Sequence, residues 1–249
     1  EFSIAMVSCG WRALVLSGIA RRPMVLRIHA DSVEFIPSER LIGKQVQETL
    51  DHIAFPNACS TLVIGPGGEN GVSFACVASA GTPLERRGFG ALLGKKHIKA
   101  IVIENGPMSV APVDRHGFGK ALERLHRMVD SSAYVSRFKT HGTLDLIETA
   151  MEAGCAAVDG CSKRTDPRLF HLGHRECSRK FSLDSDSCGN CPLQCRRKVM
   201  RPGGDDLALP DAYGMLALGS NLGNYDASLA MQWWHQAIDL GLHPVSAGM

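Results

Sequence analysis

"IKAIVIENGPMSVAPVD", residues 98–114, joins two stretches of chain with different periodicity. Its first half is an apolar, β-branched run as long as a strand, and its second half is a cluster of Gly, Pro, Ser and Asp of the kind that separates elements. Upstream, "RALVLSG" (12–18), "PMVLRIHA" (23–30), "SVEFIP" (32–37), "STLVIGP" (60–66) and "GVSFACVASA" (71–80) are short runs bounded by turn residues, and each reads as a strand. One helix is expected among them, over "SERLIGKQVQETLDHI" (38–53), with Ser38 as cap and Ile42, Val46, Leu50 and Ile53 on one face.

Downstream the period becomes that of helices. Phe118, Leu122, Leu125 and Val129 form one stripe, and "TLDLIETAMEAG" (143–154) is a helix opened by Thr143 and closed by Gly154. A last helix runs from an Asp226 cap through Leu229, Trp233, Ala237 and Leu240 to Gly241. The expected fold class is α+β, with a β-sheet-rich N-terminal domain over 1–107 followed by an all-helical domain over 108–249.

The 249 residues are 45% apolar and 21% charged, an ordinary globular composition, and the net charge of +2 with scattered positive residues implies no nucleic-acid partner. No run is long and apolar enough to suggest a membrane span. The start, "EFSIAMVSCGWRALVLSG", lacks a basic leader, and its apolar stretch reads as a strand. A cytoplasmic protein is expected. Glu1 stands where a Met would begin a complete chain, as in a fragment.

Nine cysteines, an odd number, favour reduced thiols and metal ligation over a disulfide framework. Three of them, Cys188, Cys191 and Cys195, share "SCGNCPLQCRRK" (187–198) in a C-x2-C-x3-C spacing stiffened by Pro192. The spacing suits three corners of a 4Fe-4S cluster, whose fourth ligand comes from elsewhere. It also suits tetrahedral zinc completed by Cys195, Cys177 or His174, or thiols that bind nothing. The run Arg196, Arg197, Lys198 reads as a solvated face, although basic groups beside an anionic cluster would raise its potential. "HLGH" (171–174) has a metal-like His spacing without an evident carboxylate in register, and "GPGGEN" (65–70) reads as a turn or an anion cradle.

The ordered set "GWRALVLSG", "IGPGGENGVSFACV", "GFGALLGKKHIKAIVIENG", "FKTHGT", "CGNCPLQC", "LALGSNLGNYD" and "DLGLHPVSAG" resembles the tungsten-containing aldehyde ferredoxin oxidoreductase family over nearly the whole chain. The resemblance implies a first domain of β-sheets on which a tungsten or molybdenum bis-pterin sits, followed by two helical domains. On that reading 1–107 is N-terminally incomplete and 108–249 C-terminally incomplete. It also implies that Cys188, Cys191 and Cys195 are cluster ligands, with the fourth beyond Met249.

In the family's first-domain pterin loop, R-A-A-G-R-G-G-x-G, "TPLERRGFG" (82–90) places Arg86, Gly88 and Gly90 on family positions, while Thr82, Glu85 and Arg87 differ. The family's D-x-x-G-L-D meets "IDLGLH", keeping Gly241 and Leu242 and placing Ile238 and His243 where carboxylates stand. P-E-Y-E meets "PDAY", with Asp211 and Tyr213 at the acidic positions, and E-x-x-H meets Gln232 and His235.

The implied function is oxidation of an aldehyde to a carboxylic acid, with electrons leaving through the cluster to ferredoxin. The implied partners are ferredoxin, a C-terminal domain or second subunit, and a second copy in a homodimer. The chain alone is expected to be catalytically silent. Two other readings compete: a non-catalytic electron-transfer or assembly subunit of the same fold, and a zinc-stabilised interaction module if Cys177 or His174 completes the cysteine loop.

Overall fold

The computed structural model describes residues 2–55, 58–79, 82–84, 87–109, 111–189 and 191–249, with Cys59 described by its backbone only. The chain packs as two units: residues 1–111 with 235–247, and residues 112–234 with 248–249. The segment 235–247 thus belongs with the sheet unit, on the far side of the helical one in sequence.

The first unit opens with helix α1 (Phe2–Ser8), where a strand was expected. Ala5 and Cys9 enter the core and Phe2 and Met6 pack against it, a spacing of three and four residues that belongs to a helix face. "RALVLSG" follows without regular structure. Strands β1 (Met24–Ile28) and β2 (Val33–Pro37) form an antiparallel hairpin with Met24 opposite Pro37 and Ile28 opposite Val33.

The helix expected over 38–53 is split, because Gly43 takes a left-handed φ of 80°. A 3-10 turn (Glu39–Leu41) precedes it and α2 (Val46–His52) follows, and the Ser38 side chain makes no capping bond. Next come β3 (Ala58–Val63), the single-turn α3 (Pro66–Glu69), the two-residue strands β4 (Ala78–Ser79) and β5 (Thr82–Pro83), α4 (Phe89–Lys95) and β6 (Ile98–Glu104). Most of the strand expected over 71–80 is loop.

The six strands form one mixed sheet in the order β2-β1-β6-β3-β4-β5, with β6 parallel to β1 and antiparallel to β3. A central strand covered on both faces needs a continuous apolar run, and Ile98 to Ile103 are all buried. Lys99 breaks that run yet is fully buried; its Nζ donates to Glu69 Oε1 at 2.5 Å and to the Lys44 carbonyl at 2.8 Å. Burial lowers the pKa of the ammonium, and Glu69 opposes that shift.

The second unit carries α5 (Arg115–Asp130), α6 (Ala133–His141), α7 (Asp145–Glu152), a 3-10 segment (Pro167–Leu172) and α8 (His174–Lys180). It then adds a small antiparallel sheet of β7 (Leu183–Asp186), β8 (Arg196–Val199) and β9 (Leu207–Ala208), absent from the expected all-helical domain. Helices α9 (Ala212–Leu218), α10 (Ala227–Asp239), whose last turn belongs to the first unit, and α11 (Pro244–Ala247), which lies within it, follow.

Asp114 caps α5 through the Gly117 amide, and Asp226, the cap expected from the sequence, precedes α10 and accepts from the Ser228 amide. Thr143 does not cap α7; its Oγ1 accepts from the Ala212 amide. The α5 stripe exists, but Phe118, Leu122 and Leu125 are exposed. The core is built instead from Ile147, Leu169, Leu172, Cys177, Met215 and Ala230.

Removing one partner from a buried ion pair strands the other charge. Glu69→Ala is therefore expected to lower the unfolding free energy by about 3–5 kcal/mol, and Lys99→Met combined with Glu69→Leu by clearly less. Urea denaturation of the three proteins measures the difference.

Candidate functional site

The cysteine loop, residues 187–195, is the hairpin connection between β7 and β8, closed by the pairing of Asp186 with Arg196 and of Leu183 with Val199. Inside it the Cys191 amide donates to the Cys188 carbonyl at 2.9 Å, and Gly189 and Gln194 take positive φ values. Cys188 is exposed and Cys191 and Cys195 are half-buried. None of the three thiols enters the apolar core. Burial raises the pKa of the Cys195 thiol, with a further contribution from the Cys191 and Cys188 sulfurs nearby.

The basic run beside the loop is only partly a solvated face. Arg196 Nη1 lies 3.7 Å from Cys188 Sγ, and Arg196 also pairs with Asp186 at 2.9 Å. Arg197 is buried: it donates to the carbonyls of Gln194 (2.9 Å), Arg196 (2.7 Å), Phe138 (3.1 Å) and Lys139. Two of these are last-turn carbonyls of α6, that of Phe138 also accepting from the Gly142 amide at 2.8 Å. With the Thr143 amide donating to the Cys195 carbonyl at 3.2 Å, the base of the hairpin is fixed to the end of α6.

Neither residue considered for completing a zinc site stands with the loop. Cys177 is a core thiol whose pKa burial pushes up to about 12, so it stays protonated and unreactive. His174 groups instead with His141 and Asp145.

In the first unit, the glycines assigned to a pterin loop lie where three backbone segments cross. Gly67 donates to the Leu240 carbonyl, Cys76 to that of Gly241 (both 2.8 Å), His243 to that of Phe74 (3.1 Å) and Gly90 to that of Ala75 (3.1 Å). A β-bridge joins Ala75 to Leu242. A side chain at Gly90 would collide with the Cys76 carbonyl, one at Gly88 with the Ser73 carbonyl, and one at Gly241 with the Gly65 backbone. The structure thus brings Gly90, Gly241 and Leu242 together, and what presses on the two glycines is protein backbone.

Arg86 and Glu85 lie outside the described residues. Ile238 and His243, at the family's carboxylate positions, are both buried, with His243 Nδ1 3.2 Å from Ser246 Oγ. Asp211 caps α9 by accepting from the Gly214 amide at 2.7 Å, and Tyr213 is exposed.

A mixed-sheet unit drawn together by glycines, with a helical unit bearing a three-cysteine hairpin, defines a chain of the aldehyde ferredoxin oxidoreductase class. The chain belongs to that family: its N-terminal-domain model matches residues 1–105, and its model for domains 2 and 3 matches residues 120–249. The tungsten-containing aldehyde ferredoxin oxidoreductase of Pyrococcus furiosus is 27% identical over 252 residues, covering 99% of this chain and 42% of the relative. That of Thermococcus kodakarensis is 28% identical with the same coverage.

The WOR-like subunit of the Pyrococcus furiosus aliphatic sulfonate oxidoreductase is 28% identical, covering all of this chain and 43% of that protein. The chain therefore spans about two fifths of the length of these relatives. Among solved structures, the active-site complex BamBC of benzoyl coenzyme A reductase, bound to 1,5-dienoyl-CoA, shares the fold with a TM-score of 0.75 at 20% identity, over 96% of this chain and 38% of that one.

If the glycines serve backbone packing, their substitution acts without any cofactor. Gly90→Ala and Gly241→Ala are each expected to destabilise the cofactor-free protein by about 1–3 kcal/mol, read as a lower urea midpoint. An unchanged midpoint would return these positions to a ligand-binding role.

Proposed function

We propose that this chain is part of an oxidoreductase that oxidises an aldehyde to a carboxylic acid, with electrons passing through a 4Fe-4S cluster to ferredoxin. The observation that carries the reading is the hairpin: three accessible thiols on one short connection, outside the core, next to a guanidinium. Soft thiolate donors in that number suit three corners of a cluster, with the fourth ligand supplied by a later domain or a second subunit. In this reading Arg197 holds the hairpin base rigid, and Arg196 beside Cys188 favours the reduced, more negative cluster. Family membership and the relatives' names support redox chemistry, and one of those names is a sulfonate oxidoreductase rather than an aldehyde one.

A tungsten or molybdenum bis-pterin, where a family member binds it, supplies the two-electron oxidation. The described residues at the corresponding positions of this chain do not fit it. Gly90 and Gly241 are packed on backbone, and buried Ile238 and His243 replace the two carboxylates. That observation favours a second reading, an electron-transfer or assembly subunit of the same fold.

Anaerobic reconstitution with ferrous iron and sulfide is expected to give about four irons per chain, with charge-transfer absorption and a dithionite-reducible EPR signal. Cys191→Ser should lose most of the signal and Cys177→Ser should keep it. A protein that binds iron no better than its Cys191→Ser variant would overturn the cluster assignment. Tungsten content together with aldehyde-dependent viologen reduction separates the enzyme from the electron-transfer subunit.

A further inference from the structure

Ligand atoms of His141, Asp145 and His174 lie within 4.8 Å of one another in the second unit. They come from three elements: His141 ends α6, Asp145 opens α7 and His174 opens α8. Gly142, at a φ of 68°, turns the chain between the first two. Asp145 and His174 are both more than nine-tenths buried.

We propose that these side chains bind a divalent first-row transition cation, of which zinc is the type, at a site separate from the cysteine hairpin. Four observations support it, beginning with His174 Nδ1, which is buried with no hydrogen-bond partner. Carboxylate oxygens are nevertheless close, with Glu148 Oε1 at 3.3 Å and Asp145 Oδ1 at 3.8 Å. A buried nitrogen near two acceptors, bonded to neither, is what a shared cation would satisfy.

The second observation is how the carboxylates are held. Arg137 takes Asp145 Oδ2 at 2.6 Å, and Arg175 Nε lies 3.7 Å from Glu148 Oε2. Each carboxylate thus meets an exposed guanidinium with one oxygen and presents the other to His174. Partners of this kind orient metal ligands. Gly173 adds room, because a Cβ there would lie 3.2 Å from Glu148 Oε1.

Third, the His141 and His174 rings stand 4.0 Å apart, tilted by 37°. Two imidazoles this close bring two nitrogen donors to one small volume, the arrangement a shared cation needs.

The donor set is the fourth observation. Two imidazoles with one or two carboxylates suit zinc, ferrous iron or manganese, whereas magnesium and calcium want oxygen alone and cuprous ions want sulfur. With bonds of about 2.0–2.1 Å, tetrahedral ligands stand roughly 3.3 Å apart. Side-chain torsions can supply the contraction from the spacing seen.

The test uses the full chain with Cys188, Cys191 and Cys195 all changed to Ser, stripped by chelator and titrated with cobalt(II) and zinc. One equivalent of cobalt should bind, with ligand-field bands and no thiolate charge transfer. His141 is only half-buried, so His141→Ala should fold normally, with an unchanged metal-free melting temperature. In that variant cobalt affinity should fall by more than about 100-fold, above the roughly 10–100-fold typical for loss of an outer partner. The zinc-induced rise in melting temperature should vanish with it. Absence of cobalt binding in the protein with the three serines, or equal affinity in His141→Ala, would overturn the site and leave an ordinary histidine–carboxylate cluster.

Discussion

Arg197 is the side chain on which the organisation of the second unit turns. A guanidinium does not shed its proton at any accessible pH, so burying it demands acceptors, and here they are main-chain carbonyls from two directions. Two lie in or beside the cysteine hairpin and two in the last turn of α6. One residue therefore satisfies helix-end carbonyls and fixes where β8 begins. The hairpin above it and the His141 turn beside it inherit that position.

The first unit depends on a different constraint, the absence of side chains. Where the turn after β3, the start of α4 and the segment 240–243 meet, main chains are closer than any Cβ allows. Glycines read from sequence as a phosphate loop serve here as contact points between backbones. The same residue type answers both needs, because each asks for close approach to a peptide group. Sequence spacing alone does not tell them apart.

Much of the fold was nevertheless legible. The β6 run read as a strand, and Asp226 and Gly241 marked the two ends of α10 correctly. The hairpin cysteines also showed in their spacing. What could not be read had specific causes. The α1 segment is short and apolar throughout, so strand and helix periods both fit it until the core selects Ala5 and Cys9. Strands β7 and β8 read "LDSD" and "RRKV", with no apolar alternation, and ion pairs such as Arg196 with Asp186 and Lys198 with Asp184 accompany their pairing. In "HLGH" only His174 joins a polar cluster, while His171 stacks on Phe170. The missing carboxylates are on α7, where only the fold brings them into register.

The return of residues 235–247 to the sheet unit has a consequence for the order in which the molecule can mature. As the chain emerges during synthesis, the strands of the first unit appear early, yet the carbonyls of Leu240 and Gly241 that receive the Gly67 and Cys76 amides appear last. Until then those amides have only water, and the edge at Ala75 lacks its partner Leu242. The helical unit, whose hydrophobic cluster ends at Trp234, has nearly all of its residues in hand first. A nascent chain halted before residue 240 would therefore be expected to hold the packed hydrophobic cluster of the second unit and a first unit still open at its glycine crossing.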